Sequence, residues 1–374
     1  MPDAMALMVV HKRWAQAHAI FAAMPAPALP PRVSVVLTLY NKGPFVAEAV
    51  RSILAQTFAD FELLVVDDAS TDEGPAEVAA IADPRVRFLP SAVNTGRPAA
   101  ANRGIAAARG EFIAFLDADD LMYPERLAKQ VAFLDAHPQV AIVGTCVREL
   151  RDEDQIVCWP TTHEEGMARI ILGDAYLHPA SMVRRTLFAD PGVRFDENWR
   201  IPGMDYLFQV AVCRRAVFAN LPEVLGCYRR GVNNFRSGRD ARADRLQIAR
   251  RVFELLGWPA SDQDIDDHVT LTGYLPDGLT VRDIARIRRW RDRLLALNRD
   301  HGLFPQELFR QEVMAFWHRH FHRVADQGWC AGLAWWYHSP GRRMAWLTYL
   351  AKVQAKRMLH RSGPGHAAPA GEMA

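Results

Sequence analysis

From residue 33 to residue 146 the sequence alternates short apolar runs with longer stretches in which apolar residues recur every three or four positions. Val33–Leu39 (VSVVLTL) is almost continuously apolar, the pattern of a strand buried on both faces of a parallel sheet. Pro44 then sits where a first helical turn tolerates it, and Val46, Val50, Ile53, Leu54 and Phe58 follow at helical spacing. Glu62–Val66 (ELLVV) predicts a second buried strand running into Asp67 and Asp68. Ser70, Thr71 and Asp72 are capping residues for a helix through Val78 and Ala82. Val86–Leu89 predicts a third strand, and Pro98–Arg109 a helix of small residues stopped by Gly110. A fourth strand over Glu111–Leu116, a helix over Pro124–His137 carrying Leu127, Val131 and Leu134, and a strand over Val140–Cys146 complete the series.

Strands alternating with helices predict an α/β fold with right-handed crossovers: an open, mostly parallel sheet flanked by helices. In such sheets the ligand crevice lies at the carboxyl ends of the strands. That rule gathers Thr38, Tyr40 and Asn41, Asp67 and Asp68, and Asp117 to Asp120 into one place. The remaining chain is punctuated differently. Residues 1–30 form an N-terminal extension ending in the proline-rich linker Pro25–Pro31, and the sheet domain is expected over 31–240. From 241 to 361 the pattern turns helical and rich in Arg, Leu and Trp, as in Val281–Asn298 and Gln306–Gln327, and the Gly/Pro/Ala-rich tail 362–374 is expected to be disordered.

Composition narrows the functional classes. A net charge of +2 over 374 residues argues against nucleic acid as the main partner, which requires a basic face. The five cysteines, Cys146, Cys158, Cys213, Cys227 and Cys330, never form a Cys-x-x-Cys pair and are read as separate, mostly buried thiols of a reducing compartment. No stretch approaches the roughly 18 consecutive apolar residues of a membrane span, and the first residues lack a signal-peptide pattern, so the expected location is cytoplasmic.

The candidate chemistry centres on FIAFLDADD, Phe112 to Asp120, where an apolar strand runs into three carboxylates within four positions. Desolvating such a cluster is costly unless cations or donors compensate it. Neither glycine-loop solution to phosphate binding is present: no GxGxxG follows the first strand and no GxxxxGK[ST] occurs anywhere. A carboxylate cluster at the strand ends instead suits a hard cation, Mg²⁺ or Mn²⁺, shared with substrate phosphates. VSVVLTLYNKGPFVAEAVRSILAQTFADFELLVVDDASTD followed by NTGRPAAANRGIAAARGEFIAFLDADD resembles the nucleotide-sugar half of a family 2 glycosyltransferase with the GT-A fold. A weaker likeness continues through HPASMVRRTLF, GMDYLFQVAV and NLPEVLGCYRR.

The resemblance implies roles for particular residues. Thr38 and Tyr40 would hold the base and ribose, with Tyr40 offering a stacking face; Asp68 would contact the uracil, and Arg97 would sit near base and diphosphate. Asp117-Ala118-Asp119 is the Asp-x-Asp motif, with Asp119 on the metal and Asp117 nearer the ribose, and Asp205 is similar to the family's catalytic base. Relatives often carry a second acid just before that base and a histidine after the Tyr-Arg pair. Here Met204 and the sequence YRRGVNN stand instead, which leaves a third protein ligand for the metal unassigned. The implied activity is metal-dependent, inverting transfer of a sugar from a nucleotide diphosphate, UDP above dTDP, to a glycan or lipid-linked acceptor of the cell envelope or an extracellular polysaccharide. The competing readings are a catalytically inactive nucleotide-sugar binding module and a nucleotidyltransferase of related fold. Two further features stand outside the motif. The arginine-rich segment from Tyr228 to Arg251 reads either as a lid over the diphosphate or as a solvated linker. The acid-free stretch from Gln327 to Gly371, with Trp329, Trp335, Trp336 and Trp346 among its basic residues, reads either as a peripheral membrane contact or as a helix packed with its tryptophans buried.

Overall fold

The first apolar run folds as β1 (Val33–Leu39) and lies between two parallel neighbours, β2 (Phe61–Asp67) and β4 (Phe112–Asp117). In this computed structural model, which describes residues 30–150, 155–229, 238–341 and 344–361, β1, β2 and the body of β4 are buried almost throughout. β3 (Val86–Leu89) extends the parallel half beyond β2. The connections carry α1 (Gly43–Leu54), α2 (Gly74–Ala79), α3 (Arg97–Ala107) and α4 (Arg126–Ala136). On α1 the buried positions Val46, Ala49, Val50 and Ile53 are the predicted apolar stripe. Helix α2 starts later than its capping residues suggested, because those side chains serve the neighbouring loop. Asp72 accepts from the Gly43 and Gly74 amides at 2.7 and 3.0 Å, and the Ser70 hydroxyl accepts from the Asn41 amide at 3.0 Å.

Beyond β4 the sheet becomes mixed. β8 (Met182–Arg184) pairs antiparallel with β4 and with β6 (Ile142–Leu150), β6 runs parallel to β9 (Phe218–Arg229), and β5 (Leu121–Met122) closes antiparallel on the end of β9. The strand order is β3-β2-β1-β4-β8-β6-β9-β5, with β7 (Gln155–Val157) hairpinned onto β6. Chain direction along the sheet reverses between β1 and β4, so the crevice forms at their carboxyl ends. The β5–β9 pairing folds Tyr228 and Arg229 back over that crevice. It depends on Gly226, where a Cβ would stand 2.7 Å from the Leu121 carbonyl oxygen. Helices α5 (His163–Arg169), α6 (Met204–Val212) and α7 (Ala241–Leu256) complete this part.

The hairpin corrects one expectation. Val147 faces Val157 across β6 and β7, which puts Cys146 opposite Cys158, and the two are joined in a disulfide. The two were expected to be separate reduced thiols, but the hairpin brings them together across a separation of 12 residues. Cys213 and Cys227 are buried free thiols, whereas Cys330 is exposed.

The chain divides into two compact units after Gly257, later than the expected 240, because α7 packs with α6 in the first unit. The second unit contains α8 (Asp262–Leu271), α9 (Val281–His301), α10 (Gln306–Arg319), α11 (Phe321–Gln327), α12 (Trp329–Tyr337) and α13 (Met344–Arg361). The single helix expected over 306–327 is broken at the buried His320. Two of the four tryptophans at issue near the C-terminus are core residues. Trp335 stacks on Trp317 at 3.9 Å and donates to its carbonyl at 2.9 Å, and Trp346 stacks on Phe321 at 4.1 Å. Residues 1–29, 230–237 and 362–374, which include the linker, part of the lid segment and the tail, lie outside the described residues.

Gly110 shows how tightly the parallel half is built. Its amide donates to the Ser34 hydroxyl at 2.8 Å, and a Cβ there would approach the Ser34 nitrogen to 2.5 Å and the Val33 carbonyl carbon to 2.8 Å. Backbone cannot yield as a side chain can. Gly110→Ala is therefore expected to lower stability by about 1–3 kcal/mol, read as a lower urea midpoint with an unchanged m-value.

Candidate active site

The carboxyl ends of β1, β2 and β4 open into a cleft of about 480 Å³. All seven residues singled out in the sequence, Thr38, Tyr40, Asp68, Arg97, Asp117, Asp119 and Asp205, line it. Register explains part of this convergence. Thr38 on β1 is level with Val66 on β2 and Asp117 on β4, and Asp68 follows the last residue of β2. Tyr40, 46% exposed just past β1, presents a ring at the rim. Asp205 arrives from a different element, the first turn of α6, entered through Gly203 at φ +98°.

Each carboxylate at the end of β4 has its own partner. Arg97, opening α3, places one guanidinium nitrogen 3.1 and 3.0 Å from the two oxygens of Asp117. Lys42, which precedes α1, donates from Nζ to Asp119 Oδ2 at 2.5 Å. The Arg229 amide donates to Asp120 at 2.8 Å, and the Arg229 guanidinium donates to the Asp119 carbonyl at 3.0 Å while lying over the Phe45 ring. Burial, with Asp117 and Asp119 nearby, pushes the Asp120 carboxyl well above the usual carboxylate range. Against the opposing effect of burial, Asp117, with smaller help from Asp205 and Asp119, raises the Arg97 pKa.

Both oxygens of Asp68 accept hydrogen bonds from the protein. One oxygen accepts from the Thr95 amide at 2.8 Å and its hydroxyl at 2.7 Å, and the other from the Gly96 amide at 2.7 Å. These bonds hold the loop that delivers Arg97. Asn41 and Ala69, flanking this corner on the two strands, both have positive φ, at 50° and 64°. A left-handed alanine has no side-chain reason to be there, so the strain is imposed by the turn around the cleft.

Arg126 was missed. Almost fully buried at the start of α4, it donates to the carbonyls of Phe115 and Pro179, both at 2.9 Å, and of Ser181 at 3.2 Å. It thus ties the last turn of β4 to the segment His178–Ser181. A basic residue beside Leu127 on a helix gives no sequence signal of such burial. Lys42 was also unassigned, although it lies within the quoted motif segments, and Arg229 was read only as part of the arginine-rich segment Tyr228 to Arg251. His178 sits between Phe115 and Phe195, with ring centroids at 4.3 and 5.2 Å, and burial pushes its pKa down to about 4. It is neutral at pH 7 and adds no charge near Asp205.

Asp68→Asn tests the loop assignment. An amide cannot accept at both positions, so one amide donor loses its partner. The expected outcome is a loss of about 1–3 kcal/mol in denaturant unfolding, with faster hydrogen exchange concentrated in residues 94–97.

Residues 34–188 match the sequence profile of Glycosyl transferase family 2. Succinoglycan biosynthesis protein ExoO of Rhizobium meliloti is 36% identical over 191 residues, 47% of this chain and 54% of that protein. The UDP-Glc:alpha-D-GlcNAc-diphosphoundecaprenol beta-1,3-glucosyltransferase WfgD of Escherichia coli is 35% identical over 102 residues, 27% of this chain and 40% of that protein. The chain spans about half or less of the length of these relatives. Among solved structures, S. aureus TarS 1–349 in complex with UDP-GlcNAc superposes with a TM-score of 0.54 at 18% identity, covering 87% of this chain and 92% of that one. Cleft and profile agree: the segment 34–188 is similar to glycosyl transferase family 2, and it lies in a mixed α/β sheet whose fold is shared with TarS.

Proposed function

We propose that the first unit transfers a sugar from a nucleoside diphosphate, UDP by preference, to a hydroxyl of a glycan or lipid-linked acceptor, with inversion at the anomeric carbon, in cell-envelope or extracellular polysaccharide synthesis. One observation carries this reading: a cleft at the topological switch point is lined both by a paired Asp-x-Asp carboxylate set and by Asp205 from a separate helix. An inactive binding module would not need the second group. The TarS complex with UDP-GlcNAc and the UDP-Glc and diphosphoundecaprenol in the WfgD name support the choice of donor and acceptor class.

Thr38, Tyr40 and the loop held by Asp68 form the nucleoside end, with the Tyr40 ring as a stacking face. Lys42, Arg97 and Arg229 bring positive charge to the diphosphate end. The donor set fits a hard dication: Asp119, with Asp117 two residues away, supplies carboxylate oxygens, and phosphate oxygens and waters would complete the shell. Among the described residues no cluster of three His, Cys, Asp or Glu could hold an ion unaided, which makes its binding dependent on the donor. Mg²⁺ or Mn²⁺ bound there would supply Lewis-acid stabilisation of the departing diphosphate. Asp205 accepts the proton of the acceptor hydroxyl as that oxygen bonds to the anomeric carbon and the carbon–oxygen bond to the diphosphate breaks. The nucleoside diphosphate leaves with the bonding electrons.

A panel of nucleotide sugars with Mn²⁺, read by release of nucleoside diphosphate, tests the reading; no turnover with any donor in the presence of a glycan or lipid-linked acceptor would refute it. Asp205→Asn should leave UDP affinity within about two-fold and lower kcat by roughly 10²–10⁴-fold. Equal loss of UDP affinity would move Asp205 to the donor site. In Asp119→Asn, UDP binding measured by calorimetry should no longer respond to Mn²⁺ or EDTA, whereas the parent's should.

A further inference from the structure

Helix α12, WCAGLAWWY, contains no charged residue, and its side-chain hydrogen-bonding groups are the tryptophan indoles, the Cys330 thiol and the Tyr337 hydroxyl. Its inner face is accounted for. Ala331, Gly332 and Trp335 are buried, and Gly332 lies so close to Leu350 of α13 that a Cβ would come within 2.5 Å of it. The outer face is largely exposed. Trp329, Leu333 and Tyr337, four residues apart and so aligned along one side of the helix, are 37%, 36% and 58% exposed. Trp336 lies between them on the same side and is half-buried, and Met344, at the start of α13, is 71% exposed. A helix that is apolar all round is ordinarily buried all round. This one is buried on one side only.

We propose that the outer face of α12 is a docking surface for an anionic lipid leaflet, lying on it without crossing it. Three observations favour lipid over a protein partner. The exposed side combines two tryptophans and a tyrosine with aliphatic residues, the side chains that partition to the boundary between headgroups and acyl chains. From Gln327 to Arg361 the sequence has no Asp or Glu, so nothing in this segment repels anionic headgroups. The adjoining helix α13, packed against α12, presents Lys352 and Lys356 to solvent. Each lysine near an anionic leaflet strengthens binding roughly five-fold. Among the described residues no helix is long and apolar enough to cross a membrane, which is consistent with surface docking. The inference does not depend on the transferase reading.

The test is flotation of the full chain with vesicles of phosphatidylcholine alone or of phosphatidylcholine with 40 per cent phosphatidylglycerol (roughly the anionic content that gives a strong surface potential), at low and at physiological salt. Binding is expected to the anionic vesicles only, weaker at the higher salt, with a blue shift of tryptophan emission. Leu333→Glu and, separately, Tyr337→Ser should each lower the bound fraction at least about five-fold while circular dichroism melts stay within a few degrees of the parent. Lys352→Glu with Lys356→Glu should abolish the preference for phosphatidylglycerol. Failure of the folded parent to float with anionic vesicles overturns the proposal. So does a parent dimer that Leu333→Glu dissociates without any vesicle binding, which would assign the face to a second copy of this chain.

Discussion

The architecture of the cleft follows from three carboxylates that must coexist at the end of one buried strand. Asp117, Asp119 and Asp120 follow β4 out of an apolar core, and like charges so close in sequence are unfavourable unless each is answered. The answers come from three separate places: Arg97 at the start of α3, Lys42 before α1 and Arg229 at the end of β9. To deliver them, the α3 loop is pinned by Asp68, the α1 loop by Asp72, and β9 by its short pairing with β5. Much of the polar bonding around the cleft therefore serves to bring cations and amide donors to β4. Removing any one partner leaves a desolvated carboxylate, a larger loss than the pair's own net contribution to stability.

The central parallel strands β1, β2 and β4 were legible because they are buried on both faces and read as nearly continuous apolar runs, and the short edge strand β3 (VRFL) by its place in the alternation of strands and helices. β1 was expected over Val33–Leu39 and β3 over Val86–Leu89, and both are found there. The antiparallel strands were not legible for the same physical reason in reverse. β5, β7 and β8 are two or three residues long, too short to carry a period, and exist through pairing with partners far along the chain. The disulfide was lost with them, since only the β6–β7 register brings Cys146 to Cys158.

Site residues divide along a similar line. Asp-x-Asp at a strand end can be found from sequence because the strand rule says where the ends converge. Of its cationic partners only Arg97 was named, through the family resemblance; Lys42 was not, because a lysine on a loop reads as solvated until tertiary structure supplies its carboxylate. Arg126 is the extreme case. It is buried against three carbonyls with only Asp120 as a compensating charge, and desolvation lowers its pKa. Its function is geometric, fixing the end of β4 relative to His178–Ser181, and geometry of that kind leaves no compositional trace.

Charge balance in the cleft bears on what it can hold. Among the described residues its lining contains four carboxylates, Asp68, Asp117, Asp119 and Asp205, against three cations, Lys42, Arg97 and Arg229. All three cations already make polar contacts with protein oxygens, Lys42 and Arg97 with Asp-x-Asp carboxylates and Arg229 with the Asp119 carbonyl and Glu48. A diphosphate entering this lining meets no surplus of positive charge, and at the lower effective dielectric of a cleft each uncompensated pair at contact distance costs several kcal/mol. Binding such a ligand therefore requires either that Lys42 or Arg97 exchange carboxylate for phosphate, or that further positive charge enter with the ligand. Exchange alone would strand Asp119 or Asp117 beside the phosphates and merely relocate the repulsion. A cation that enters with the diphosphate and is shared with Asp119 removes both unfavourable contacts at once. This is the physical reason for expecting donor and metal to bind as one unit here.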